Sequence, residues 1–344
     1  MDIKQAIAQA IEGKNLAADE MSRVMKLIMT GETTDAQIAA FLVALRLKGE
    51  PVEGIAGAAR VMRELSTPVR VSADHLVDTC GTGGDGSRLF NVSTASALVA
   101  AACGARVAKH GNRSVSSSSG SADLLEAADV RIDLDAVQVA RCIDELGVGF
   151  MFAPAHHGAM KYAIGPRREI ATRTIFNLLG PLTNPASAPN QVLGVFSRHW
   201  LLPLAEVLRE LGSEHVMVVH AEEGLDEISC QGITHVCELK QGEIRQYQIS
   251  SADFGLQPVG LDDLRAEDPQ SSLVLVRQGI SEWGSAAANI VALNAGAAIY
   301  VSGVASTHAE GVAMAQDAIA SGLAKNKLTD LVSFSRMLKE VEPA

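Results

Sequence analysis

Through the first seventy positions the apolar residues recur at helical spacing only. Ile3, Ile7 and Ile11 share one face, and Met21, Val24, Met25 and Ile28 form a second stripe that Gly31 ends. Thr34 and Gln37 stand at capping-box spacing before a third apolar face of Ile38, Phe41, Leu42 and Leu45, which Gly49 and Pro51 stop. A fourth helix is predicted from Val52 to Leu65. After Pro68 the pattern changes to short apolar runs at Leu76–Val77, Ala105–Ala108, Val148–Phe152, Val192–Phe196 and Val216–Val219, separated by helical stretches. That alternation predicts an α/β fold: a central, mostly parallel sheet flanked by helices, with a small all-helical N-terminal domain. Residues 1–70 form the helical domain, with the helical segment 160–183 packing back onto it, and residues 71–159 and 184–344 form the α/β domain. Ile290 to Ala305 is the most apolar stretch, yet Asn294, Gly296, Ser302 and Gly303 interrupt it and it is shorter than a bilayer span, so it reads as a buried helix.

Composition narrows the partners. A net charge of −11 repels phosphate backbones and anionic membranes, so neither nucleic acid nor membrane is expected as a partner. Any phosphate must be held by a local set of donors. Cys80, Cys103, Cys142, Cys230 and Cys237 include no Cys-x-x-Cys pair, and Met1 to Gly13 has no uninterrupted apolar run, which together suggest reduced thiols and a cytoplasmic protein.

The candidate chemistry lies after the strands. Val77-Asp-Thr-Cys-Gly-Thr-Gly-Gly-Asp-Gly86 sets four glycines between a strand and a helix beginning near Ser93, where backbone N–H groups and a helix N-terminus can cradle an anion. Gly81, Gly83 and Gly86 also fit the dinucleotide pattern, but the next strand runs into Lys109 and His110 rather than into an acidic residue for ribose. A cationic strand end suits phosphate. Asn91-Val-Ser-Thr94 and Lys109-His-Gly-Asn-Arg-Ser-Val-Ser-Ser117 add side-chain donors, and Ser114 to Ser121 is serine-rich. Asp226 and Glu227 sit side by side after a later strand, able to share one or two Mg2+ ions. His156 and His157, adjacent in a loop, are assigned no metal. No residue is assigned as a general base.

In order and spacing, Gly81-Thr-Gly-Gly-Asp85, Asn91–Thr94, Lys109–Arg113, Gly120-Ser-Ala-Asp123, Arg173-Thr-Ile-Phe-Asn177, Gly180-Pro-Leu-Thr-Asn-Pro185 and Gly224-Leu-Asp-Glu227 resemble the anthranilate phosphoribosyltransferase family over essentially the whole chain. The resemblance implies transfer of a phosphoribosyl group from phosphoribosyl diphosphate to the amine of anthranilate in tryptophan biosynthesis, by a homodimer using Mg2+, two ions being expected. It implies that the donor is bound by Gly81, Gly84, Asp85, Asn91, Val92, Ser93, Thr94, Lys109, His110, Gly111, Asn112, Arg113, Ser114, Val115, Ser116, Ser117 and Ser121. Anthranilate would meet Gly81, Asn112 and Arg167, and metal would meet Ser93, Asp226 and Glu227. Leu89, Ser118 and Ala128-Asp129 depart from the family pattern, where threonine, lysine and Leu-Gly are usual. A pyrimidine nucleoside phosphorylase and a non-catalytic nucleic-acid-binding relative on the same scaffold remain as alternatives.

Overall fold

The structure, a computed structural model, describes residues 1–72, 74–114 and 119–340. Its N-terminal part consists of α1 (Ile3–Ile11), α2 (Ala18–Met29), α3 (Asp35–Lys48) and α4 (Val52–Glu64). β1 (Leu76–Gly81), α5 (Val92–Ala102), β2 (Arg106–Gly111), α6 (Ser121–Ala127), α7 (Ala136–Arg141) and β3 (Val148–Phe152) follow. A helical excursion, α8 (Ala153–His156), α9 (Lys161–Ile170) and α10 (Phe176–Leu179), precedes β4 (Asn190–Gly194), α11 (Leu201–Glu210) and β5 (His215–Ala221). The chain ends with β6 (Thr234–Lys240), β7 (Glu243–Ile249), α12 (Pro269–Gly279), α13 (Ala286–Val301), α14 (His308–Ala320) and α15 (Leu323–Glu340).

Local signals account for several boundaries. Thr34 Oγ1 accepts from Gln37 N at 3.3 Å while Gln37 Oε1 accepts from Thr34 N at 3.0 Å, closing the capping box that starts α3. In α1 the buried residues are Ile3, Ala6 and Ala10, whereas Ile11 is 73% exposed. The i, i+4, i+8 spacing of the isoleucines drifts off the contact face, and the two alanines permit closer approach there.

The seven strands run in the order β3-β2-β1-β4-β5-β6-β7. β1 to β5 are mutually parallel, and β6 and β7 add an antiparallel edge. Strand order reverses between β1 and β4, so a crevice opens there at the carboxyl edge, the place where open α/β sheets bind ligands. Alternate residues of β5 serve different cores: Met217 and Val219 face the side of α5 and α13, while Val216 and Val218 face α11 and the N-terminal helices. A sheet covered on both faces produces apolar runs instead of alternation. α13 is buried almost all round and lies so near α14 that a Cβ on Gly311 would overlap the Gly296 carbonyl.

Ala163 of α9 together with Ile175, Phe176 and Leu179 shares one core with Met25, Ile28, Phe41 and Leu42 of the N-terminal helices. That core continues through Leu193 and Val218 to the sheet, so the helical part and the sheet are joined by packed side chains. Among the described residues no helix is long and apolar enough to cross a membrane.

Candidate functional site

Four sets of residues leave the carboxyl edge of the sheet together: 82–91 after β1, 112–114 after β2, 195–200 after β4 and 222–228 after β5. Gly81 and Gly194, the last residues of β1 and β4, are register partners at the point of strand reversal. A Cβ on Gly81 would overlap the Asp226 carboxylate, and one on Gly194 would overlap the Asp226 carbonyl. The two glycines therefore make the room in which the loop after β5 crosses the crevice. Asp226 Oδ2 there accepts from Gly83 N at 2.7 Å, and Glu227 Oε1 accepts from Ser93 N at 3.2 Å, at the N-terminus of α5.

Both carboxyls are half-buried without enough compensation. Burial, then the neighbouring Asp85 carboxylate, raises Asp226 from 3.8 to about 7. Burial and the Asp226 charge raise Glu227 well above its ordinary value. Beneath them lies the Lys109 ammonium, 3% exposed, whose Nζ donates to the Thr79 carbonyl at 2.6 Å and to Ser93 Oγ at 3.2 Å. Burial pushes its pKa down although Asp78, Cys80 and Glu227 pull the other way. Lys109 thus lies under Ser93 and orients that hydroxyl.

Among the described residues no group of three His, Cys, Asp or Glu side chains is arranged to hold a metal. The donors present are all oxygen: Ser93 Oγ and the carboxylates of Asp226 and Glu227. Such a partial set fits Mg2+, which keeps waters and takes its remaining ligands from a substrate diphosphate. Beside it the amide N–H groups of Gly84, Asp85 and Gly86 have no acceptor among the described residues. Gly83, Gly84 and Gly86 adopt φ of 66°, 74° and 77°, which glycine tolerates and other residues rarely do. Thr94 Oγ1 is buried and has no hydrogen-bond partner among the described residues.

The segment after β2 is cinched around Asp123, whose Oδ2 accepts from Ser114 N at 2.9 Å and Gly120 N at 3.0 Å. Gly111 leaves no room for a Cβ against Ser121 Oγ, and the Asn112 carbonyl accepts from Ala122 N at 3.3 Å. Asn91 Oδ1 accepts from Ser119 Oγ at 2.9 Å and from Ser272 Oγ at 2.7 Å, so this side chain brackets the serine-rich segment to α12. Arg113 is half exposed; its guanidinium pairs with Glu126 and Asp123, raising its pKa, and lies 5.6 Å from the Phe152 ring centre. Val92 is buried in the core beneath α5. Val115, Ser116, Ser117 and Ser118 lie outside the described residues.

On the helical side Arg167 of α9 is partly buried, 5.0 Å from the Phe176 ring centre, and burial lowers its pKa. Among the described residues its guanidinium makes no ion pair or side-chain hydrogen bond, which leaves the fork available for a carboxylate.

Residues 4–66 match the glycosyl transferase family helical bundle domain, and residues 73–325 match its a/b domain. The anthranilate phosphoribosyltransferase of Marinomonas sp. (strain MWYL1) is 61% identical over 338 residues, 98% of this chain and 98% of its own. That of Cellvibrio japonicus (strain Ueda107) is 60% identical over 343 residues, 98% of this chain and all of its own. The chain belongs to the anthranilate phosphoribosyltransferase family. The crystal structure of the anthranilate phosphoribosyltransferase from Thermus thermophilus superposes with a TM-score of 0.91 at 45% identity, covering 96% of this chain and 99% of that one. The Saccharomyces cerevisiae anthranilate phosphoribosyltransferase in complex with PRPP and Mg shares the fold, with a TM-score of 0.88 at 24% identity, over 97% and 98% of the two chains. Full-length likeness to transferases displaces the phosphorylase and nucleic-acid-binding alternatives.

Two departures from the anthranilate phosphoribosyltransferase pattern have visible consequences. Leu89 packs against the main core where a hydroxyl is usual. Asp129 takes the left-handed backbone at φ 70° in place of glycine, and Arg336 pairs with its carboxylate at 3.0 Å. Sequence reasoning missed two features. His110, His156 and His157 form one buried cluster, with 5.1 Å between the rings of His110 and His157. Burial and mutual repulsion push His110 down to about 3 and His157 to about 4, so both stay neutral near pH 7. The other is Arg173, which donates to the Gly84 carbonyl and lies 4.3 Å from the Phe196 ring centre.

Proposed function

We propose that the chain transfers the phosphoribosyl group of 5-phosphoribosyl 1-diphosphate to the amine of anthranilate, giving N-(5-phosphoribosyl)anthranilate and diphosphate, in the crevice between β1 and β4. What supports this reading is a single juxtaposition: loop amides without an acceptor among the described residues, beside two half-buried, under-compensated carboxylates. One part attracts an anion and the other a cation, as a magnesium diphosphate requires. The donor rests on the loop 81–86 and on Asn91 to Thr94, with Lys109 to Ser117 and Ser121 closing the other side. Ser93, Asp226 and Glu227 hold Mg2+, two ions in our reading, which when bound neutralises charge gathering on the departing diphosphate.

Arg167 grips the anthranilate carboxylate, with Gly81 and Asn112 on the other side of the acceptor. The amine brings its own lone pair, so the C1–N bond forms as the C1–O bond to diphosphate breaks, one amine proton is released, and no covalent enzyme intermediate is needed. The chain's residues position the reactants and stabilise developing charge. Arg167→Ala removes a charged hydrogen-bonding partner, and the KM for anthranilate rises about 10-fold or more while that for phosphoribosyl diphosphate stays within about twofold. Initial rates at varied concentrations of each substrate check this; an unchanged anthranilate KM contradicts the acceptor placement.

Three further assignments belong to the same reading. Residues 1–70 with 160–183 act as the helical unit, and the remainder carries the donor. Ala36, Ala40, Val43 and Leu47 form an exposed apolar stripe on α3, with Leu47 84% exposed, which suits a homodimer through the helical part. Five unpaired thiols suit the reducing cytoplasm.

A further inference from the structure

Three contacts from different parts of the molecule hold the glycine loop. Thr82 Oγ1 accepts from Phe196 N at 3.0 Å, Gly83 N donates to Asp226 Oδ2 at 2.7 Å, and the Gly84 carbonyl accepts from Arg173 Nη2. The first two come from segments that leave the sheet. The third comes from the stretch between α9 and α10, which shares its core with the N-terminal helices. Phe196 joins two of them, since its amide is tied to Thr82 and its ring carries the Arg173 guanidinium. The fit is close: a Cβ on Gly84 would lie 3.3 Å from Arg173 Nη2.

We propose that Arg173 is a positioning residue for phosphoribosyl diphosphate, acting through the glycine loop without touching the reacting atoms. This rests on the reading that the loop binds the donor's diphosphate. In a planar trans peptide the carbonyl and the following N–H point in opposite directions. Holding the Gly84 carbonyl toward the guanidinium therefore fixes the Asp85 N–H on the opposite side. That N–H belongs to the set without acceptors, Gly84, Asp85 and Gly86, which the donor reading assigns to phosphate oxygens. Gly84 on one side of this peptide, with Gly83 and Gly86 close by in the loop, hinders its rotation little, so an outside clamp helps keep the amides aimed as a set. Arg173 also ties the donor loop to the segment that bears Arg167, only a turn earlier in the chain.

The test compares wild type, Arg173→Ala and Arg173→Lys by initial-rate kinetics, and by calorimetric titration with phosphoribosyl diphosphate and with inorganic diphosphate in the presence of Mg2+. Arg173 is exposed, so the variants keep the fold, and equal Tm values verify it. In Arg173→Ala the KM for phosphoribosyl diphosphate rises about 10-fold and diphosphate affinity falls in step, while the KM for anthranilate stays within about twofold. Arg173→Lys, whose ammonium reaches the same carbonyl, recovers part of the loss. Wild type that binds both ligands alongside an Arg173→Ala protein that binds them equally well overturns the role of Arg173 and leaves the donor site standing. Equal rises in both KM values, or no recovery by lysine, overturn it as well. Wild type that binds neither ligand removes the donor reading and this inference together.

Discussion

Asp226 is a carboxylate held where it is least comfortable. Its pKa is raised from 3.8 to about 7, so the folded protein favours the protonated acid more than the unfolded chain does. That contribution is fully present below about pH 4 and is lost as the pH rises through about 7; metal-free protein loses this stability over that window, and Mg2+ restores it by taking the proton's place. Asp226→Asn keeps an acceptor for Gly83 N and removes the buried charge. At pH 8 without metal its Tm rises by a few degrees over wild type, Mg2+ no longer raises it, and turnover is lost. Thermal unfolding at pH 5.5 and 8 with and without Mg2+ measures this; a lower Tm for the variant in metal-free buffer at pH 8 contradicts it. Asp226 and Glu227 were legible because they are adjacent in sequence. The placement of Asp226 was not, because it depends on Gly81 and Gly194, which meet it only in the folded sheet. Arg173 was harder to find, since its partner is a backbone carbonyl 89 residues away and leaves no side-chain pattern.

At the level of elements, the neighbouring ends of β1 and β4 fix where the loop bearing Asp226 and Glu227 can run. Gly194→Ala forces the Asp226 backbone to move, and the activity falls by about 100-fold or more with the apparent Mg2+ affinity, while circular dichroism stays that of a folded protein. Wild-type metal affinity in that variant contradicts the crevice geometry. The parallel strands were readable as apolar runs, because a sheet covered on both faces leaves few polar interruptions. β6 and β7 were not read, although Gln241-Gly242 joins them with φ of 53° and 84°, the turn geometry of a tight hairpin. Their clue was the Gln-Gly pair between two strand-like runs. Asp129 shows a local departure being accommodated: aspartate tolerates the left-handed backbone better than most residues, and the salt bridge to Arg336 lies on the surface. Asp129→Gly therefore changes stability by less than about 1 kcal/mol, the relief of backbone strain offsetting the lost pair.

Across the molecule, helical part and sheet share packed side chains through α9, α10 and α11, so the helix bearing Arg167 and the sheet bearing the glycine loop are held against one continuous core. The change from helical to strand-like periodicity after Pro68 was visible in the sequence, whereas the shared core of helices and sheet was not, since it rests on contacts between distant segments. The exposed α3 stripe belongs to this scale too. Val43→Asp with Leu47→Asp places two carboxylates in an apolar face, and the proposed homodimer through this stripe predicts a shift from dimer to monomer in sedimentation; a variant that sediments as wild type contradicts that interface. The most direct test of the proposal that the half-buried Asp226 and Glu227 and the glycine-loop amides together form a magnesium diphosphate site is the initial rate of anthranilate consumption, followed by fluorescence, against Mg2+ concentration in wild type and in Asp226→Ala/Glu227→Ala. A rate that requires Mg2+ in wild type and falls about 100-fold or more in the double variant is the predicted result. Turnover without metal, or a double variant with the wild-type rate and Mg2+ dependence, would contradict it.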